Sequence, residues 1–340
     1  MSFPAEYNSP ELVRQLDSLL ERIDLLCIRH GDQAYYGFSE WEAEPIIKAL
    51  IDETGAWIQT CGMKSALIPM SGGADSTLVA CLLRKARDKY APWFKLIGVT
   101  LPRKLQADAD IYNDLGLNAA REYCDEVATV ELGKVADFIE DELFDGEKLK
   151  FESGRTFAEV GAELTPNRTE KQMRIDRGNI TARLRMIFSY GWASAFGGAQ
   201  PSTDNLSELL MGFWTLCGDE GTFKLIQKIL KGVEQPVIMR VLEIPAIYIV
   251  QKPTDGLGVS DGDVAQLYGE LFTGAETYFD VDCVLIGHFM GQKFPDVLNP
   301  TIQGLNHPVI KQMLRTGFKR QPFVIERETL GLKPIQSGHD

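Results

Sequence analysis

Apolar positions along the chain recur at helical spacing in some stretches and as short unbroken runs in others. Residues 10–29 place Leu12, Leu16, Leu19, Leu20 and Ile23 on one stripe, and residues 40–60 do the same with Ile46, Ile47, Leu50, Ile51 and Trp57. This is the pattern of amphipathic helices. Next comes a short apolar run, Ala66, Leu67, Ile68 and Met70, which predicts a buried strand. It stops at two glycines, and Leu78, Val79, Leu82, Leu83 and Ala86 then resume helical spacing. A second strand is predicted at Phe94 to Leu101, a helix near 108–123, and a third strand at Glu126 to Leu132. A helix from Asn179 to Ala195, with Asn179 as its cap, precedes a faint fourth strand near Phe196 to Ser202. The segment 145–176 is polar and without periodicity, which predicts a long loop able to cover a site. Strands alternating with helices imply an α/β fold, a doubly wound parallel sheet flanked by helices. A ligand then lies beyond the carboxyl ends of the strands, and Ser71 occupies such an end. The expected organisation is helices over 1–60, a main domain over 61–330 and a short tail over 331–340.

Composition narrows the class. The chain has 340 residues, 44% apolar and 24% charged, as in an ordinary globular protein. No apolar run approaches the ~20 residues that span a bilayer, and Met1 to Ser9 lack the basic-then-apolar pattern of a secretory signal. A cytoplasmic location without membrane attachment is the expectation. Six cysteines and four histidines are scattered with no Cys-x-x-Cys pair, which argues against a structural zinc site or a disulfide framework. The net charge of −13 makes a large nucleic-acid surface unlikely.

Candidate chemistry centres on Ser71-Gly72-Gly73-Ala74-Asp75-Ser76-Thr77. A strand, a glycine turn and a helix aim backbone N–H groups and a helix N-terminus at an anion. The glycines let phosphate oxygens approach the main chain, and Ser71, Ser76 and Thr77 add hydroxyls. Asp75 would repel a phosphate directly, so an intervening Mg2+ is implied. The Gly-Lys-Ser/Thr of a Walker A loop is missing. The stretch resembles instead the pyrophosphate loop of the N-type ATP pyrophosphatases, which split ATP into AMP and pyrophosphate. Taken alone it could also be a capped strand-to-helix turn.

Further motifs follow in order. Gly178-Asn179-Ile180-Thr181-Ala182-Arg183-Leu184-Arg185-Met186 carries two arginines suited to anionic groups of a nucleotide. Thr203 to Glu208 reads T-D-x-x-x-E, and Glu208 offers a second carboxylate for the metal implied by Asp75. Pro253-Thr254-Asp255-Gly256-Leu257 precedes the acidic Asp261 and Asp263. Together with Leu101-Pro102, Gln106 and the Lys319-Arg320 pair, these stretches resemble the NAD synthetase family over about residues 40–325.

The resemblance implies a Rossmann-like fold of the adenine nucleotide alpha-hydrolase type and a homodimeric, Mg2+-dependent amidation. The nicotinate carboxylate of deamido-NAD attacks the α-phosphorus of ATP, pyrophosphate leaves, and ammonia then displaces AMP from the acyl-adenylate. It assigns Ser71 to Ser76 to the pyrophosphate, with Ser71, Asp75 and Ser76 at the centre of catalysis. Asp75 and Glu208 go to Mg2+, Gln106, Thr203 and Thr254 to ATP, and Arg183 and Lys319 to the dinucleotide. Glutamine-dependent members carry an additional nitrilase-like domain, for which residues 1–60 are too few, so free ammonia or a separate glutaminase subunit is the implied nitrogen source.

This chain departs from the family pattern mainly on the acceptor side. The family Arg before Leu-Pro is Thr100, with Arg103 as a substitute, a family Lys is Leu216, a family Asp is Phe223, and the His of a His-Lys pair is Phe318. A family Lys that contacts ATP aligns with Gly232, beside Lys231. Three readings stay open at this level: an ammonia-dependent NAD-forming ligase, a pyrophosphate-loop enzyme adenylating another carboxylate or nucleotide, and an inactive nucleotide-binding protein.

Overall fold

A computed structural model describes residues 3–26, 38–103, 109–144, 150–254, 263, 277–290 and 307–320. Helices α1 (Pro10–Leu26) and α2 (Glu40–Thr60) lead into strand β1 (Ser65–Pro69). There follow α3 (Ala74–Tyr90), β2 (Lys95–Thr100), α4 (Ala109–Tyr123), β3 (Glu126–Thr129) and α5 (Gly133–Phe144). Helices α6 (Phe157–Leu164) and α7 (Glu170–Ala195) precede the short strands β4 (Gly198–Ala199) and β5 (Pro201–Ser202). Next are α8 (Leu206–Met211), β6 (Phe223–Lys224), α9 (Glu234–Val241) and α10 (Ala246–Val250). Helices α11 (Tyr278–Met290), α12 (Pro308–Arg315) and α13 (Gly317–Arg320) complete the described chain.

The main sheet has the order β3-β2-β1-β4 with every pairing parallel, and Ala66 stands opposite Leu96 and Ala199. Chain order reverses at β1, which makes its carboxyl end a topological switch point, where open α/β sheets bind ligands. Side-chain alternation explains the layers. Ala66 and Ile68 of β1 join Leu78 and Leu82 of α3 and Ala119 and Ala120 of α4 on one face. Leu67 points the other way and packs with Val99, Ala136 of α5, and Leu184 and Ala193 of α7. Helices α1 and α2 add Ile23, Ile47 and Ile58 to the first cluster. A third cluster joins Met211, Tyr278, Val281, Leu285, Val309 and Met313 across α8, α11 and α12. No described helix is long and apolar enough to cross a membrane.

Several sequence expectations need correction. The segment 145–176 is not one long loop, because it holds α6 and the start of α7, while residues 145–149 lie outside the described residues. Both helices begin on a capping box, Thr156 with Glu159 and Thr169 with Gln172. Phe157, Val160 and Leu164 of α6 do stand at helical spacing, but the stripe is only eight residues long, lies in a polar stretch and buries no side chain. Asn179 consequently lies inside α7 instead of capping it. The faint fourth strand is two strands, β4 in the main sheet and β5 paired in parallel with β6. Gln106, most of 270–306 and the tail 331–340 lie outside the described residues.

Candidate functional site

The turn after β1 is shaped by a glycine that no other residue could replace without strain. Gly72 has φ +83°, and a Cβ there would lie 2.1 Å from the Tyr112 carbonyl oxygen of α4. Gly73 is the N-cap of α3, so Ala74 and Asp75 occupy that helix's first turn. The Ser71 and Ser76 hydroxyls are 3.1 Å apart, and the Gly73 N–H donates to Ser71 Oγ at 3.3 Å. Ser76 and Thr77 are buried and donate their hydroxyls to the Gly73 carbonyl, at 3.2 and 2.9 Å. They hold the turn, whereas Ser71, Gly73, Ala74 and Asp75 line a cavity of about 550 Å³.

Across that cavity Asn205 ties two carboxylates into one frame. Its Nδ2 donates to Asp75 Oδ1 at 2.9 Å, and its Oδ1 accepts the Glu208 N–H at 2.9 Å as the N-cap of α8. Between the carboxylates stands Lys231, whose Nζ lies 2.9 Å from Asp75 Oδ2, 2.5 Å from Glu208 Oε1 and 3.9 Å from Asp263 Oδ2. Burial pushes the Glu208 carboxyl up to about 8 despite the ammonium beside it, and Asp75 and Asp263 add to the push. Burial alone would lower Lys231, but Asp75, Glu208 and Asp263 outweigh it and hold the ammonium charged. Three acids around one base leave an excess of negative charge, the setting that a hard cation or a retained proton relieves.

Gly232 resolves the apparent loss of a family lysine. A Cβ at Gly232 would lie 2.2 Å from the Phe279 nitrogen, so this position seats the turn against α11. The cationic side chain comes from the preceding residue, Lys231. Residue counting alone could not find it, since a shift of one position carries no sequence signature. Asn205 did have a signal, an Asn three residues ahead of Glu208 at a helix start.

The opposite wall is built by α7 and the 212–223 segment. Thr203, Thr254, Asn179, Arg185 and Lys319 line the cavity, and Arg185 Nε donates to the Leu101 carbonyl at 3.4 Å. Arg183 is exposed and outside that lining, with its Nε 3.3 Å from the Leu216 carbonyl oxygen. The cavity arginine is thus Arg185, and the expected substrate contact from Arg183 is not met inside the cavity of a single chain. Helical spacing is the reason, because positions two apart on α7 face different directions.

Lys319 Nζ donates to the Gly212 and Trp214 carbonyls at 2.7 and 2.6 Å, and burial lowers its pKa. Asp219 accepts the Thr215 N–H at 2.5 Å, and burial pushes its carboxyl up. Asp204 accepts from Ser202 at 2.9 Å and is pushed up to about 7 by burial. Several lining residues carry buried polar atoms without a partner among the described residues: Gln200 Oε1, Trp214 Nε1, Gln235 Oε1 and Nε2, and Gln251 Oε1. Such atoms at a cavity wall are ready to meet a ligand's polar groups.

Three of the departures noted in sequence, Leu216, Phe223 and Phe318, lie outside this cavity's lining, whereas Gly232 is part of it. Leu216 and Phe318 are exposed, and Phe223 stacks on Trp57 with ring centroids 4.1 Å apart. Arg103 is buried against Glu140 at 2.5 Å, Asp137 at 3.0 Å and Thr181 Oγ1 at 2.6 Å. It braces the end of β2 against α5 and α7 while also lining a small adjacent cavity of about 110 Å³.

Comparisons with known proteins agree with this geometry. An NH(3)-dependent NAD(+) synthetase of Pseudomonas aeruginosa (strain LESB58) is 26% identical over 277 residues, covering 78% of this chain and 91% of that protein. The protein of the same description from Burkholderia cenocepacia (strain HI2424) is 32% identical over 186 residues, covering 53% of this chain and 58% of that protein. The fold matches an NMN synthetase from Francisella tularensis with TM-score 0.59, 18% identity and coverage of 84% of this chain and 98% of that one. It also matches an NH3-dependent NAD synthetase from Campylobacter jejuni with TM-score 0.57, 19% identity and coverage of 84% and 99%. The family model for NAD synthase matches residues 46–271. With a pyrophosphate-type loop at the switch point and that match across two thirds of its length, the chain belongs to the NAD synthase family.

Proposed function

We propose that this protein amidates deamido-NAD to NAD, consuming ATP and ammonia and releasing AMP and pyrophosphate. The observation that carries the reading is the convergence of Asp75, Glu208 and Lys231 beside the Ser71–Ser76 turn, in a chain of the NAD synthase family. The chemistry requires a poor acyl donor to become a good one. A carboxylate oxygen attacks the α-phosphorus of ATP, the bond to the bridging oxygen breaks, and pyrophosphate leaves with that electron pair. The nitrogen of ammonia then attacks the acyl carbon, the C–O bond to AMP breaks, and a proton is released.

Positioning and charge neutralisation dominate such a transfer. In this reading Ser71, Gly72 and Gly73 with the N-terminus of α3 cradle the pyrophosphate, and Ser76 and Thr77 keep that turn in shape. Lys231 meets phosphate charge as a point donor, and Thr203, Thr254 and Gln106 contact ATP. Arg185 and Lys319 serve the dinucleotide within the chain. Asp75 and Glu208 would hold Mg2+, which supplies charge neutralisation on the phosphates when bound. The surplus of carboxylates over Lys231 fits that role, and Mg2+ commonly completes its shell with phosphate oxygens and water.

Arg183 and Ile187 lie four apart on α7, and Ile187 is 63% exposed, which supports a homodimer with this face towards the partner. Light scattering reading a monomer would remove that part. A single catalytic unit over 61–330, acting in the cytoplasm, completes the reading.

The test is to give purified protein ATP, Mg2+, ammonium and either deamido-NAD or nicotinate mononucleotide, and to quantify AMP, pyrophosphate and amidated product. Equal yields of NAD, AMP and pyrophosphate are expected from deamido-NAD. AMP formation coupled only to the mononucleotide, or ATP binding without amidation of either, would overturn the acceptor assignment.

A further inference from the structure

The Lys231 ammonium is aimed by an unusual device, a turn whose successive backbone N–H groups are each held by a side chain. The Leu230 N–H donates to Glu234 Oε2 at 2.7 Å, the Lys231 N–H to Ser207 Oγ at 2.9 Å, and the Gly232 N–H to Asp282 Oδ2 at 2.5 Å. These acceptors come from three helices: α9, α8 and α11. The turn is further tied to α8 by the Leu206 N–H on the Ile229 carbonyl, at 2.8 Å. Gly232 presses against the backbone of Tyr278 and Phe279, and the Tyr278 ring centroid is 4.7 Å from Lys231 Nζ.

Asp282 is the costly member of this set. It is wholly buried, pairs with no cation among the described residues, and its Oδ1 has no hydrogen-bond partner. An acidic group in that position burdens the fold unless it does something. Its hydrogen bond reaches the residue next to Lys231, and it sits on α11, beyond the 46–271 stretch matched by the family model. Short, charge-assisted hydrogen bonds to backbone N–H groups are suited to fixing a turn.

We propose that Asp282 is a positioning residue for Lys231: by holding the Gly232 N–H, with Ser207 holding the Lys231 N–H, it keeps the ammonium facing Asp75, Glu208 and the phosphates of ATP. The proposal rests on the ATP-activating reading above. It does not require Asp282 to touch substrate, because Asp282 meets the turn's backbone and the Ser207 side chain and does not line the cavity.

The experiment compares wild type with Lys231→Met, Asp282→Ala, Asp282→Asn and the Lys231→Met/Asp282→Ala double variant. Dissociation constants for ATP with Mg2+, steady-state constants for ATP and deamido-NAD, and thermal melts are measured on each. Asp282→Ala is expected to weaken kcat/KM for ATP by about tenfold or more, with KM for deamido-NAD changed less than about twofold. Asp282→Asn still offers an oxygen to the Gly232 N–H and should return to within about threefold of wild type.

In the Lys231→Met background, Asp282→Ala should cost almost nothing further, since a residue that acts through Lys231 has nothing left to position. Losses that multiply in the double variant, or equal losses for both substrates, would show a merely structural role and overturn the proposal. Wild-type ATP constants in Asp282→Ala would do the same. Should Asp282→Ala fail to fold, Ser207→Ala removes the acceptor of the Lys231 N–H and must give the same ATP-specific pattern. If wild type forms no NAD, the functional reading fails, while the ATP dissociation constants of the variants still decide the positioning claim.

Discussion

The two walls of the cavity are built on opposite principles. On the wall proposed to hold phosphate, Asp75, Asn205, Glu208 and Lys231 hold one another through short contacts without any ligand. On the acceptor wall, the 212–223 segment runs through two left-handed residues, Gly212 at φ +63° and Cys217 at φ 58°, and is held by Lys319 and Asp219. There Gln200 Oε1 and Trp214 Nε1 stay buried without a partner among the described residues. A wall of charges locked by short mutual contacts is rigid, and its surplus of carboxylates suits phosphate only through a cation, as the proposed reading has it. Neutral polar atoms beside Arg185 and Lys319 draw their satisfaction from a ligand, and in the proposed reading they set which acceptor is accepted.

The largest test of that contrast removes a carboxylate from the phosphate wall. Asp75→Ala or Glu208→Ala should lower turnover by about 10³-fold or more while leaving the thermal melt near that of wild type. Full activity in either variant would sink the metal assignment. Gly72→Ala attacks the same wall through the backbone. Its positive φ and the nearby Tyr112 carbonyl should cost about 1–3 kcal/mol, seen as a melting temperature roughly 5 °C lower with a raised KM for ATP. An unchanged melt would mean the turn can relax.

On the acceptor wall, Arg185→Ala should raise KM for deamido-NAD by about tenfold and Arg183→Ala by less than about threefold. The reverse order would mean that the dinucleotide reaches the exposed face of α7, outside the single-chain cavity.

Smaller effects follow from protonation. Metal binding needs Glu208 ionised, and its carboxyl is pushed up to about 8, so protons compete with Mg2+ below that pH. KM for Mg2+ should therefore be about tenfold or more higher near pH 6.5 than near pH 8.5, and a flat profile would remove Glu208 as a ligand. Asp204 tests the fold in place of the chemistry. Its carboxyl rises from 3.8 unfolded to about 7 folded, so the native state binds the extra proton between those values. The stability it contributes is complete below the unfolded value and is lost as pH rises through about 7. Asp204→Asn should accordingly gain in melting temperature relative to wild type across that window and hold a constant difference above it. A difference that does not vary with pH would place Asp204 in water.

Legibility differed between the same two walls. The strand, glycine turn and helix at 65–90 could be read because a short unbroken apolar run and a period-3.6 pattern meet at two glycines, and the structure puts each element there. Asp75 and Glu208 could be paired because their motifs are local. Helix α6 and the first turns of α7 were hard to read as helices: the Phe157, Val160 and Leu164 stripe of α6 is only two turns long, and the exposed start of α7 leaves little beyond the cap at Thr169 to mark it.

The sequence by itself determined the alternation of strands and helices, the glycine turn after the first strand, and the place of Asp75 in that turn. All of these are encoded in neighbours a few positions apart. Tertiary structure alone decided that Lys231 and not its neighbour enters the acid cluster, that Asn205 bridges two carboxylates, and that Arg185 and not Arg183 faces the cavity. It also decided that Asp282, 50 residues downstream of Gly232, holds the Lys231 turn. The physical reason is common to all four: each depends on which side of an element faces a partner far away in the chain, and packing sets that direction while local pattern does not.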